Sequence, residues 1–363
     1  MVIAKPREVG GFELLKKGQQ PRLKNGRGGG SIGFMPRIQL VHTYQDIISV
    51  ENLLAAWQEF VRGKKSKADV QEFDLRLMDN IFLLNSDLKS KIYKHGGYQA
   101  FNISDPKPRH IHKASVRDRL LHHALYRKLY PFFDKTFVAD SFSCRLDKGT
   151  HKALNRFREF AYQASHNHTK TCWVLKCDIR KFFASIDHEV LKGILADYIP
   201  DTDIRVLLSE VIDSFSTTGG KGLPLGNLTS QLFCNICMNE FDQFVKHRLK
   251  AKNYIRYADD FIIMSSDKSW LISILPEVQG YLSERLKLAL HPKKIFIKTL
   301  ASGIDWLGWI HFPNHRVLRT VTKRRMLKRL KEYPTEESKQ SYLGLLKHGC
   351  THHLRQIIIN SCQ

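Results

Sequence analysis

Two adjacent acids, Asp259 and Asp260, interrupt a run of β-formers in "NYIRYADDFIIM". Neighbouring side chains on a strand point to opposite faces, but at a hairpin tip that rule loosens and both carboxylates can project together. Like charges flanked by segments that bury repel one another and raise each other's pKa. A divalent cation such as Mg²⁺ removes that penalty, because hard carboxylate oxygens suit it. A pair of ions needs a third acid. Asp178 qualifies, because it ends the apolar run "TCWVLKCD". Three carboxylates converging from two strands would hold two Mg²⁺ ions, an arrangement that activates an attacking hydroxyl and stabilises the departing oxygen in phosphoryl transfer. A bare Asp-Asp pair also caps surface hairpins, so the surrounding segments must decide between the two readings.

Those segments read as alternating helices and strands. Val50, Leu53, Leu54, Trp57 and Phe60 recur at helical spacing, and a second helix is expected from about Val70 to Lys91 with Phe73, Leu75, Leu77, Ile81, Leu84 and Leu88 on its apolar face. "GGYQAFNISDPKPRHIHKA" alternates apolar and polar around two prolines, which predicts strand, turn, strand. "SVRDRLLHHALYRKLYPFFDK" and "THKALNRFREFAYQAS" are helical. The strand holding Asp178 comes next, then a helical stretch over 189–213, the glycine-rich turn "TTGGKGLPLGNLTSQ", and the apolar helix "LFCNICMNEFDQFVKHRL". After the strand–Asp-Asp–strand unit, a helix spans about Trp270 to Leu288, and "KIFIKTL" and "IDWLGWIHF" read as strands. From about Val317 the chain is helical and basic.

Composition sets the partner class. The 363 residues carry 58 Lys and Arg against 35 Asp and Glu, a formal charge of +23 spread along the chain. So basic a protein attracts polyanions, nucleic acid first among them. Of the seven cysteines, Cys234 and Cys237 form a CxxC with no second pair at zinc spacing, so core packing in a reducing cytoplasm is expected. No apolar run is long enough to span a membrane, and the N-terminus lacks an apolar signal core. Residues 1–34 are basic, carry the run Gly28, Gly29 and Gly30, and precede Met35. Two readings stay open there: a flexible RNA-binding arm, or sequence upstream of the physiological start.

The ordered series "VLKCDIRKFFASIDHEVL", "GLPLGNLTSQLFCNICMNEFDQFVKH", "YIRYADDFIIM", "LKLALHPKKIF" and "IDWLGWIHF" resembles the successive motifs of a reverse transcriptase over roughly residues 40–350. The resemblance implies an α+β right-hand fold: fingers with part of the palm over 35–171, palm over 172–311, and a helical basic thumb over 312–363. It implies that Asp178 and Asp259 bind both catalytic ions, with Asp260 supporting them. Phe183, five residues after Asp178, falls at the family's steric gate against a ribose 2′-OH. Lys107, Arg109 and Arg119 fall in the triphosphate-binding segment, and Lys294 near the leaving pyrophosphate. Trp306 and Trp309 resemble the primer grip, with core packing as their other role.

"LGNLTSQ", with Leu225, Gly226 and Gln231 where most of the family has Gln-Gly and Ser-Pro, is similar to the reverse transcriptases of diversity-generating retroelements. That branch copies a template RNA and misincorporates at its adenines, and Arg109 and Leu225 occupy the positions tied to that infidelity. Leu225 offers an apolar surface where a glutamine would offer a polar check on the nascent pair. The branch implies template RNA, an RNA/cDNA duplex and dNTPs as ligands, and a small basic pentameric accessory protein as partner. Arg316, Arg319, Lys323, Arg324, Arg325, Lys328, Arg329 and Lys331, with no acid among residues 316–331, are expected to give a helical cationic face for an A-form duplex.

Overall fold

Side-chain caps start the first helices. Thr43 caps α1 (Tyr44–Ile48) and Ser49 caps α2 (Val50–Phe60). The computed structural model describes residues 37–104 and 108–360; the basic stretch 1–34 and Lys107 lie outside them. Leu53, Trp57 and Phe60 are buried along α2, as their spacing predicts. The single helix expected from Val70 to Lys91 is instead two, α3 (Ala68–Leu75) and α4 (Leu77–Lys89). Arg76 breaks it, with φ −126° and ψ 44°. The break leaves Leu75 85% exposed, so it does not share the buried face of Ile81, Leu84 and Leu88.

Strands β1 (Tyr98–Ile103) and β2 (Arg109–Ala114) pair antiparallel, as the alternation predicts. Two long helices follow, α5 (Val116–Asp134) and α6 (Thr150–Ala164). Next come β3 (Trp173–Asp178), the short α7 (Phe182–Ser185), α8 (His188–Tyr198), α9 (Thr202–Asp213) and α10 (Leu228–Gln243). The hairpin strands β4 (Asn253–Tyr257) and β5 (Asp260–Ser265) precede α11 (Lys268–Arg285) and β6 (Phe296–Thr299). These last four strands form one antiparallel sheet in the order β4-β5-β3-β6.

Both faces of that sheet are covered, which is why its strands are apolar on both sides. Leu175, Cys177, Tyr254, Phe261 and Ile263 join the large core that includes Phe233, Cys237 and Phe241 of α10. Phe241 packs against Phe261 with ring centroids 4.9 Å apart and the rings tilted by 58°. Val174, Ile255, Ile262 and Met264 face the other way, against Ala153, Phe157, Phe160 and Ala161 of α6 and against Trp306. Cys234 and Cys237 are buried in the first core, so their expected packing role holds.

A second small sheet follows: β7 (Ile304–Trp306), β8 (Trp309–His311) and β9 (Arg316–Leu318). The chain then closes on α12 (Thr320–Glu332), α13 (Glu336–Leu346) and α14 (His352–Asn360). Sequence reading places the helix from Val317, but Arg316–Leu318 is a strand paired to β8. Arg316 and Arg319 therefore stand off the basic helix, and α12 carries Lys323, Arg324, Arg325, Lys328, Arg329 and Lys331. Among the described residues no helix is long and apolar enough to cross a membrane.

Candidate active site

The hairpin expected from "YADD" is there, and its register sets the site. Tyr257 pairs with Asp260, which leaves a two-residue loop of Ala258 and Asp259. Ala258 sits at φ +57°, a left-handed conformation that costs a non-glycine residue about 1 kcal/mol. Neighbouring bonds hold it. The buried Arg256 guanidinium donates to the Ala258 carbonyl at 3.0 Å, and the backbone N–H of Ile179 donates to the Asp259 carbonyl at 3.1 Å. Asp178, the last residue of β3, lies directly opposite Asp260 in the β3–β5 ladder. Residues 82 positions apart in sequence are thus neighbours at one end of the sheet.

Electrostatics mark this end as under-compensated. Burial, and then the charge of Asp178, push the Asp259 carboxyl above the usual carboxylate range. The fields of Lys294 and Arg109 act on Asp259 in the opposite sense. Burial pushes Asp260 up to about 7 against the opposing pull of Lys176, whose Nζ lies 3.1 Å from Oδ2. Asp260 Oδ1 is buried without a partner. Lys294 donates to both oxygens of Asp178, at 2.9 and 3.0 Å.

The donor chemistry suits a hard cation: carboxylate oxygens only, one of them orphaned, with burial first and then neighbouring carboxylates raising Asp259 and Asp260. Among the described residues, however, no three His, Cys, Asp or Glu side chains form a closed ligand set. Lys294 engages both oxygens of Asp178, so a dication held by Asp178 would compete with its ammonium.

The Asp260 shift fixes a pH dependence. Its folded value is raised above the unfolded 3.8, so this group's contribution is full below about pH 4 and is lost as pH rises through about 7. Without divalent ions, Asp260→Asn is therefore expected to melt above wild type at pH 8 and level with it near pH 4. Parallel thermal melts across that range check this; a constant offset would contradict it.

The residues expected around the acids are joined by backbone bonds. Phe183 is half-buried on α7, and its carbonyl accepts from Leu223 N–H at 2.8 Å. Two residues on, the Leu225 carbonyl accepts from His112 N–H of β2 at 3.0 Å, and Asn227 Nδ2 returns a bond to the His112 carbonyl at 2.9 Å. Gly226 must be glycine here. Its φ is +104°, and a Cβ would lie 2.8 Å from Ile111 Cγ2 of the docked strand. The β1–β2 hairpin carrying Arg109 is thereby fixed to the loop carrying Leu225. Gln231 is half-buried in the first turn of α10.

Arg119 stands apart from this group. Its guanidinium lies 2.5 Å from Asp69 and over the Phe60 ring, so the structure commits it to α3 and α2. Trp306 and Trp309 are both fully buried, the packing role left open for them.

Sequence reading missed the groups that hold the hairpin. Arg256 is 1% exposed and donates to both carboxylate oxygens of Asp242, at 2.7 and 2.6 Å. Its Nη2 also reaches Ser141 Oγ at 3.0 Å. The signal was an arginine inside an apolar strand, since such a charge is buried only with a partner. Lys176, a cation in the middle of β3, was a second such signal.

Residues 93–311 match the family model described as reverse transcriptase (RNA-dependent DNA polymerase). Protein YkfC of Escherichia coli is 25% identical over 274 residues, 65% of this chain and 70% of that protein. The group II intron-encoded protein LtrA of Lactococcus lactis is 24% identical over 284 residues, which cover 57% of this chain and 44% of LtrA. An apo telomerase structure from Candida tropicalis aligns at TM-score 0.46 and 13% identity over 67% of this chain and 60% of that one. With the family match covering more than half of the chain and the three acids gathered at one end of the sheet, the chain belongs to the reverse transcriptase family of RNA-dependent DNA polymerases and has its α+β right-hand fold.

Proposed function

We propose that the chain copies a template-repeat RNA into error-prone, adenine-mutagenic cDNA that diversifies a target gene. The observation that carries the polymerase chemistry is the placement of Asp178 opposite Asp260, beside the Ala258–Asp259 bend. Asp178 and Asp259 are the residues that would hold two Mg²⁺ ions, with Asp260 behind them. When bound, such ions lower the pKa of the primer hydroxyl and neutralise charge on the departing pyrophosphate. The protein's own part is to fix the carboxylates. If Asp178 took up a metal, Lys294 would be displaced from it, and its ammonium would be free to meet the pyrophosphate or give it a proton.

Phe183, Leu225, Gly226, Gln231 and Arg109 form the proposed nucleotide pocket, with Lys107 completing the phosphate cations. The bonds linking Phe183, Leu223, Leu225 and His112 support this grouping. Leu225 presents no donor or acceptor on its side chain, so a mispair at a template adenine loses no hydrogen bond there. Leu225→Gln is expected to cut adenine misincorporation about tenfold, a change of ~1.4 kcal/mol in discrimination. Sequencing of cDNA made on a defined RNA template checks it; an unaltered error rate would remove Leu225 from the account. Phe183→Ala is expected to admit ribonucleotides, read as alkali-labile product.

Fingers over 35–171, palm over 172–311 and thumb over 312–363 remain our division of the chain. In that division α12 is the duplex-binding face. The basic pentameric accessory protein is part of the same proposal, with no surface assigned to it. A second reading is a related bacterial enzyme acting in phage defence or linked to an intron or CRISPR system; the likeness to the intron-encoded LtrA favours its intron arm alone. Errors spread evenly over all four template bases would select that reading.

A further inference from the structure

Away from the three acids, a cavity of about 260 Å³ opens between α6, the β8–β9 turn and the loop joining α13 to α14. The β8–β9 turn lies at the opposite end of β8 from the Leu307–Gly308 turn that joins β7 to β8. Arg158, Arg316, Lys347, His311, His315 and His348 line the cavity, and no acid does. Most other buried or half-buried arginines here have a carboxylate: Arg256 has Asp242, Arg145 has Asp134 and Arg119 has Asp69. Arg316 has only neutral partners. Its Nε donates to the His348 carbonyl and its Nη2 to Asn155 Oδ1 at 3.1 Å, while Nη1 is buried without a partner. Desolvation and then the neighbouring Arg158 charge press its pKa below the ordinary arginine value. His311, 3% exposed, also has an unpartnered ring nitrogen, Nε2, in the same wall.

The wall is rigid. A Cβ on Gly349 would lie 2.1 Å from the Trp309 ring and 2.9 Å from the Arg316 carbonyl. Cys350 N–H donates to that carbonyl at 2.9 Å, and Phe312 N–H closes the β8–β9 turn on the His315 carbonyl at 2.8 Å. A cavity lined by the Arg316 and Arg158 guanidinium groups and by no acid, with Arg316 Nη1 and His311 Nε2 buried without partners, suits an anion.

We infer that this cavity is a binding site for a phosphate monoester group, held by Arg316 and Arg158 and met by His311. Guanidinium forks match phosphate oxygens two at a time. A small turn of Arg316 toward the cavity gives Nη1 its acceptor. Bound as its monoanion, a monoester carries a hydroxyl that His311 Nε2 can accept from, which a phosphodiester lacks. The phosphate could come from the end of a nucleic-acid strand or from a small phosphorylated molecule, and the experiment separates these. The site is independent of the proposed mutagenic role.

The test is thermal melting of the full chain with inorganic phosphate against chloride at equal ionic strength. At ten times its dissociation constant phosphate is expected to raise the wild-type melting temperature by about 2–3 °C. Arg316→Gln and Arg158→Gln are expected to abolish that rise. Arg158 is exposed, so its variant should melt like wild type in chloride even if Arg316→Gln folds poorly. In a second arm, RNA oligonucleotides with a 5′-phosphate or a 5′-hydroxyl are bound to wild type and Arg158→Gln. A wild-type preference for the phosphorylated end, lost in the variant, assigns the site to a strand terminus. A phosphate response without that preference assigns it to a small phosphorylated ligand. Phosphate acting no better than chloride with no 5′-phosphate preference, or a phosphate response that persists in both variants, overturns the site.

Discussion

Asp259→Asn is expected to lower primer extension on an RNA template by at least about 10³-fold, a loss of ~4 kcal/mol in transition-state stabilisation. The protein should nonetheless fold. Asp259 sits in a two-residue loop, and its carboxyl is already held above the usual range by burial and by Asp178. Removing that charge relieves repulsion, so stability at neutral pH should equal or exceed wild type. Activity and stability then move in opposite directions, as expected of a group kept for chemistry at a cost in folding. Asp178→Asn should lose activity similarly, because it removes the other carboxylate proposed to hold both ions. Steady-state primer extension beside thermal melting reads both quantities. An Asp259→Asn enzyme that copies RNA at the wild-type rate would remove the acids from catalysis.

Arg256→Ala is expected to cost about 3–5 kcal/mol of folding stability, because it leaves the Asp242 carboxylate buried with no counter-charge. Asp242 would keep only its bond from the Tyr254 hydroxyl. The more telling variant replaces both partners, Arg256→Met with Asp242→Leu. Apolar replacement of a buried ion pair often restores stability. It cannot restore the donor to the Ala258 carbonyl, the bond that holds a left-handed alanine beside Asp259. The double variant should therefore recover most of its resistance to denaturant while primer extension stays about 10–100-fold down, the scale seen when groups that orient ligands are lost. Recovery of activity together with stability would reduce Arg256 to a packing role.

How much of this could be read from the sequence followed from the range of each interaction. The hairpin at Asp259 and Asp260 was legible because its signal is local: β-formers on both sides of a two-residue break. Asp178 was legible as the end of an apolar strand. The Arg256–Asp242 pair was not, because only tertiary packing of α10 on β4 reveals which acid meets which base. The break at Arg76 carries no proline or glycine to announce it. Strand β9 is three residues long, too short for a period of two to show, and is defined by its pairing with β8. Lys294 was legible as a cation near the site, but its grip on Asp178 depends on a side-chain position that spacing does not encode.

The most direct test of the central claim is a crystal structure with Mn²⁺, primer–template and a non-hydrolysable dNTP, read by anomalous scattering. Two manganese peaks about 3.5–4 Å apart, bridged by Asp178 and Asp259 with Lys294 turned away from Asp178, are the result this account predicts. Manganese absent from these carboxylates, with Lys294 still clasping Asp178 in a complex that extends primers, would contradict it.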